Sequence, residues 1–156
     1  MLHTDEQFVA AWESWGRERS VARQMKDLVA GDSCEVLCWP DIPRLWSGTA
    51  RTITKAWLSL KAKPTDSDAT ENDTWSPTAG ARQAITTTNV AGRGQIQNAS
   101  EGTPELRFDV TATNTAAMEV NRLYYFDVQV LMSDGSLYTV ERGTCEFRKG
   151  VTQASA

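Results

Sequence analysis

The run Leu123-Tyr-Tyr-Phe-Asp-Val-Gln-Val-Leu-Met-Ser-Asp-Gly-Ser-Leu-Tyr-Thr-Val-Glu-Arg-Gly-Thr-Cys-Glu-Phe-Arg148 decides the fold. Tyr124, Phe126, Val128, Val130 and Met132 alternate with Tyr125, Asp127, Gln129 and Leu131. That period of two marks a half-buried strand. Asp134-Gly135 is the dipeptide of a two-residue type I′ turn, so residues 136–141 are expected to return antiparallel. Gly143 permits a bend. Residues 144–148 then read as a separate last strand, with Cys145 and Phe147 on one side.

Other segments repeat the pattern. In residues 53–63, Ala56, Leu58, Leu60 and Ala62 face one way, and Lys55, Trp57, Ser59 and Lys61 the other. Trp57 on the outer face is expected to lie under an N-terminal helix. Residues 105–111 alternate with Leu106, Phe108 and Val110 inward. Residues 33–39, 81–88 and 94–97 are shorter strand candidates, separated by turns at Gly92, Gly94 and Gly102 and by prolines at 40, 43, 64, 77 and 104. About seven short strands at near-regular spacing predict a mainly β chain with an N-terminal α-helix. The architecture they favour is an immunoglobulin-like antiparallel β-sandwich, with a small barrel as runner-up.

The first thirty residues have a different period. Thr4 and Gln7 form a capping box, Asp5 and Glu6 suit the start of a helix, and Lys26 and Gly31 suit its end. Phe8, Ala11, Trp12, Trp15, Ala22, Met25, Leu28 and Val29 make one apolar stripe, with a break or kink expected near Gly16. The chain therefore divides into a helical docking segment (1–32), a sandwich (33–152) and a short tail (153–156). Paired tryptophans are good interface anchors. The candidate interface residues are Phe8, Trp12, Trp15, Arg19, Met25 and Trp57.

Composition narrows the function. Acidic residues outnumber basic ones by 20 to 16, for a net charge of −4. That argues against a nucleic-acid binder, which needs a cationic face. No apolar run is long enough for a membrane span or a signal-peptide core. The single histidine, His3, is badly placed for a nucleophile–imidazole pair, so an enzyme is not expected. Cys34, Cys38 and Cys145 are expected to be reduced core thiols, with no metal or other cofactor. Asp66, Asp68, Glu71 and Asp73 sit in a 64–80 loop that lacks the glycine and closing glutamate of a calcium loop, and reads as solvated. Gly92-Arg-Gly-Gln lacks the lysine of a phosphate loop, and Asn98-Ala99-Ser100 reads as a polar loop.

Two stretches carry a family resemblance. Thr54-Lys-Ala-Trp-Leu-Ser-Leu-Lys-Ala-Lys63, followed by the Asp-rich loop, resembles the early strand of small β modules of tailed-phage virion proteins. The run from Leu123 to Thr152 is similar to their closing hairpin: Tyr-x-Asp-Val-Gln, a Gly turn, a Thr-Val return, a Gly, and a last strand ending in Val-Thr. Together the stretches resemble the N-terminal domain of phage baseplate upper proteins, and the likeness covers about residues 50–152. It implies a non-enzymatic structural role in a virion, in symmetric copies (a trimer or higher) that contact other virion proteins of the tail, baseplate or neck. A capsid decoration protein is the alternative in the same class. A carbohydrate-binding module, with Trp39, Trp46, Trp57 and Trp75 as a stacking platform, is a further one.

Overall fold

A computed structural model of the chain describes residues 21–40, 52–99 and 104–150. Over these residues the protein is mainly β. The strands are β1 (Leu28–Val29), β2 (Cys34–Cys38), β3 (Ile53–Lys61), β4 (Ala81–Ile85), β5 (Gly94–Gln97), β6 (Glu105–Val110), β7 (Leu123–Met132) and β8 (Leu137–Arg148). Two short helices, α1 (Val21–Gln24) and α2 (Ala112–Ala117), accompany them. One sheet has five strands in the order β1-β8-β7-β3-β4, and the other has three in the order β2-β6-β5. Among the named strands, β1 and β8 pair in parallel, and a parallel bridge joins Val120 to Phe147.

The alternation read from the sequence sets the core. Tyr124, Phe126, Val128, Val130 and Met132 of β7 are all buried, as are Ala56, Leu58 and Leu60 of β3. Val36, Ile96, Leu106, Phe108 and Val110 of the small sheet join them in one cluster. Each such large apolar side chain is worth about 1.5–3 kcal/mol when fully withdrawn from water. Phe147 anchors one end, edge-on to Tyr124 (centroids 5.8 Å) and to Trp75 (6.4 Å). The Tyr124 hydroxyl accepts a hydrogen bond from the Glu119 N–H at 3.0 Å, so the buried phenol is not left without a partner.

The two sheets curl toward one another and are stitched at both sides. On one side, the Ile96 N–H donates to the Thr86 carbonyl at 2.8 Å, joining β5 to the end of β4. Gln83, fully buried on β4, donates its Nε2 to the Arg93 and Asp109 carbonyls at 2.8 and 2.7 Å. On the other side, α1 packs between β8 and β2.

The structure departs from the sequence reading at several points. Residues 4–20 of the expected helix lie outside the described residues. Its expected C-terminal end is corrected: α1 stops at Gln24, two i→i−3 bonds (Lys26 N–H to Arg23, Asp27 N–H to Gln24) close it, and Leu28–Val29 becomes a strand. Strand pairing with Phe147 and Arg148 satisfies the backbone there while Leu28 stays buried. Val21, Met25 and Leu28, from the end of the expected helical segment, belong to the common core.

The turn at Asp134-Gly135 is also different. The Met132 N–H meets the Ser136 carbonyl, and only Gly135 has a positive φ, at 88°. This is a three-residue loop with glycine in the left-handed position, because a type I′ turn needs both central residues there. The two expected final strands are one. β8 absorbs its irregularity as a bulge at Val140, opposite Val128/Gln129, rather than as a bend at Gly143. Helix α2 had no counterpart in the sequence reading. Thr111, expected to end a strand, caps it by accepting from the Asn114 N–H at 3.2 Å.

Candidate functional site

The outer face of the five-stranded sheet carries most of the polar side chains that the fold aligns. Cross-strand register places Ser59, Asp127 and Arg142 in one row, and Lys61, Tyr125 and Thr144 in the next. Their alternation with the core residues turns all six outward. The Asp-rich loop after β3 folds back along one margin of this face. Lys61 and Arg82 both pair with Asp68, at 2.9 and 2.7 Å, and Lys55 pairs with Glu71 at 2.8 Å.

Trp57 lies inside this cluster. Its indole N–H donates to Glu71 Oε1 at 2.7 Å. The Lys55 ammonium and the Arg82 guanidinium lie 5.3 and 4.9 Å from its ring centroid, within cation–π range. The Lys61 hydrogen bond, aided by Arg82, holds the Asp68 carboxyl below its usual range against some desolvation. The Lys55 hydrogen bond, then that of Trp57, does the same for Glu71. Two carboxylates of the loop that read as merely solvated are therefore engaged. Their bases come from neighbouring strands, which a local reading of residues 64–80 could not reveal.

Between this cluster and β8 lies an open groove of about 530 Å³, lined by Ser59, Lys61, Tyr125, Asp127, Arg142 and Thr144 among others. That volume falls in the range of small-molecule sites. Ser59 is only 3% exposed, and its Oγ has no hydrogen-bond partner. Asp127 Oδ1, one strand away in the same row, is also buried without one. Burial pushes the Asp127 carboxyl up; Asp68 adds to this, and Lys61 and Arg82 oppose it. Beneath the groove floor a hydroxyl and a carboxylate oxygen are thus buried without a hydrogen-bond partner.

The candidate interface residues are not gathered at this face. Phe8, Trp12, Trp15 and Arg19 lie outside the described residues. Met25 is fully buried in the chain's own core, and Trp57 is buried beside its own loop, where its indole N–H meets Glu71; residues 4–20 of the helix expected over it lie outside the described residues. The four tryptophans offered as a sugar platform do not share a surface: Trp75 is a core residue, Trp57 is enclosed, and Trp46 lies outside the described residues. Trp39 donates its indole N–H to Glu105 at 3.3 Å on the other sheet. Cys38 and Cys145 are buried, Cys34 is half-buried, and all three are free thiols.

The alternation turned Ser59 and Asp127 outward in the sequence, but it gave no pairing register. Only the register brings them, with Arg142, into one row. No family model, curated protein or solved structure matches the chain.

Proposed function

We propose that the chain is a non-enzymatic structural module of a tailed-phage particle, located in the virion and present in symmetric copies on the tail, baseplate or neck. In this reading its two curled sheets are a variant of the immunoglobulin-like sandwich, and its partners are further copies and other virion proteins. The observation that carries the proposal is the β7–β8 hairpin. Most of the residues behind the phage resemblance form this longest paired element. Its outer strand is also suited to joining another chain. β1 is two residues long and pairs with β8 only at Phe147 and Arg148. Among the described residues, no strand lies beside the β8 edge from Thr139 to Cys145. Such an edge is a template for strand addition by a second copy. Phe8, Trp12 and Trp15 remain the anchors that the sequence offers for the same contact. A capsid decoration protein would use the same surfaces.

Two measurements test the reading together. The mass of the purified chain in solution should be a multiple of the monomer mass. Antibody raised against it should label purified particles at symmetric positions. A strict monomer whose antibody labels no particle overturns the proposal.

A further inference from the structure

We propose that Glu141 is a gate on the free edge of β8: its carboxylate weakens strand pairing with a second copy of the chain, and neutralising it strengthens that pairing. This rests on the assembly reading above and names what regulates the same edge.

The register fixes where Glu141 points. It stands opposite Val128, which is fully buried, and next to the bulge at Val140. Arg142, one residue on, stands opposite Asp127 and turns to the outer face. Successive side chains alternate, so Glu141 turns toward the core side. It is half-buried there, and it makes no hydrogen bond or ion pair with any described residue. Its neighbours supply no compensating charge. The Cys38 thiol of β2 faces it and stays protonated, because burial and then Glu141 itself push it up. β7 presents Val128 on this side. From α1, packed between β8 and β2, the charged side chain is Arg23, which is exposed and does not pair with Glu141.

An unpaired carboxylate on the inward side of a strand is a cost to the fold. Its use lies in what it prevents. A strand edge exposes main-chain groups that recruit further strands, and bulges and inward-pointing charges are devices that discourage this. β8 carries both, at adjacent residues, in the stretch beside which no described strand lies. A second strand laid there would withdraw Glu141 further from water. Burial already raises its carboxyl, and more burial raises it more. Pairing is therefore coupled to proton uptake: it is weakest above the raised carboxyl value and tightens as pH falls through it.

The main chain supplies a control. The Glu146 N–H donates to the Met25 carbonyl and the Ala30 N–H to the Arg148 carbonyl, so the even-numbered residues of this stretch direct their main-chain groups away from β7. Arg142 has the same phase. A proline there removes an outward N–H and leaves the β7 ladder intact.

Sedimentation of the whole purified chain tests the gate. At about pH 7.5, Glu141→Gln should tighten self-association by about tenfold or more relative to wild type. The difference should narrow as pH is lowered toward 4, and Glu141→Gln provides the reference for any tightening that comes from loss of net charge alone. Adding Arg142→Pro to Glu141→Gln should abolish the gain. If the proline variant does not fold, hydrogen exchange on Glu141→Gln gives the same reading: the Arg142 and Thr144 amides should become protected as concentration rises. Association that is indifferent to Glu141→Gln, association that leaves these amides exposed or survives Arg142→Pro, and absence of association in every variant would each overturn the gate. The first two leave the assembly reading standing, and particle labelling decides that reading separately.

Discussion

The side-chain amide of Gln24 closes both main-chain hydrogen bonds of Leu37: its Nε2 donates to the Leu37 carbonyl at 2.7 Å, and its Oε1 accepts from the Leu37 N–H at 2.7 Å. A single side chain thereby acts as the missing neighbour strand of β2. Asn72 caps β4 in a related way, with its main-chain N–H donating to the Arg82 carbonyl and its side-chain Oδ1 accepting from the Ala84 N–H. The Gln24 amide offers the donor and acceptor of a peptide group without the repeat that would recruit further strands. Gln24→Ala should cost about 1–3 kcal/mol in urea unfolding, because it leaves a partly buried N–H and C=O without partners. Gln24→Glu keeps the acceptor and loses the donor, so it should fall between wild type and Ala. Equal stability of all three proteins would show that water replaces the amide at no cost.

Gly143 makes room for an aromatic ring. A Cβ at this position would lie 2.9 Å from Phe126 Cε1 and 3.2 Å from its Cζ, and Phe126 is only 3% exposed. Gly143 stands opposite Phe126 in the β7–β8 register, so the ring lies over it. Gly143→Val should destabilise by about 1–3 kcal/mol through overpacking, although valine has the better strand propensity. A rise in the urea midpoint would mean that propensity outweighs the clash.

The three thiols should be slow to react in the native state. Burial pushes Cys34 up to about 11, with help from Asp32 and Glu35, and pushes Cys145 up to about 12, with help from Cys34 and Glu146. Cys38 is pushed up further still, by burial and then by Glu141. At pH 8 the thiolate fraction of Cys34 is on the order of a hundredfold below that of a free cysteine, before any steric protection. A disulfide-exchange reagent should therefore label Cys34 first and slowly, and label all three only in denaturant. Rapid stoichiometric labelling of the folded chain would contradict the packing of β2 and β8.

The fold was legible where the side chains alternate. The inward sets of β3, β6 and β7 follow from Ala56, Leu58 and Leu60, from Leu106, Phe108 and Val110, and from Tyr124 to Met132, because one face of each strand is apolar. The partner of Trp57 and the burial of Trp75 and Gln83 were not legible. Each depends on a partner far along the chain: Glu71, Phe147, and the carbonyls of Arg93 and Asp109. The end of α1 was misread for the same reason, since the parallel partner that makes Leu28 a strand residue lies at Phe147. The groove needed both kinds of information. Alternation turned Ser59 and Asp127 outward, and register then set them side by side.

The Trp57 cluster should give the acid limb of stability a definite sign. The carboxyls of Asp68 and Glu71 are lower in the folded chain than in the unfolded one. Their contribution is therefore present above the unfolded carboxylate range and is lost as pH falls through the lowered folded values. Both side chains are about half exposed, so each pair is worth at most about 1 kcal/mol. Glu71→Gln keeps an acceptor for the Trp57 indole and removes only the charge. It should lower the melting temperature at pH 7 and at moderate salt, and the deficit should shrink toward pH 3. A deficit that does not change with pH would assign the role of Glu71 to packing rather than charge.

Asp127 should behave in the opposite way. Burial raises its folded carboxyl above the unfolded value, Asp68 raises it further, and Lys61 and Arg82 only partly offset this. A raised acid favours the fold below its unfolded pKa, and that advantage disappears as pH climbs through the folded value. At pH 7 the ionised Asp127 thus weighs against stability, and its Oδ1 is buried without a hydrogen bond. Asp127→Asn should raise the melting temperature at pH 7, with the gain fading as pH drops below the ordinary aspartate range. Ser59→Ala, which removes the other orphaned oxygen, should be neutral or stabilising by up to about 1 kcal/mol at every pH. If Asp127→Asn lowers the melting temperature at pH 7, the carboxylate is held by contacts that favour its charge, and the groove floor is part of the scaffold.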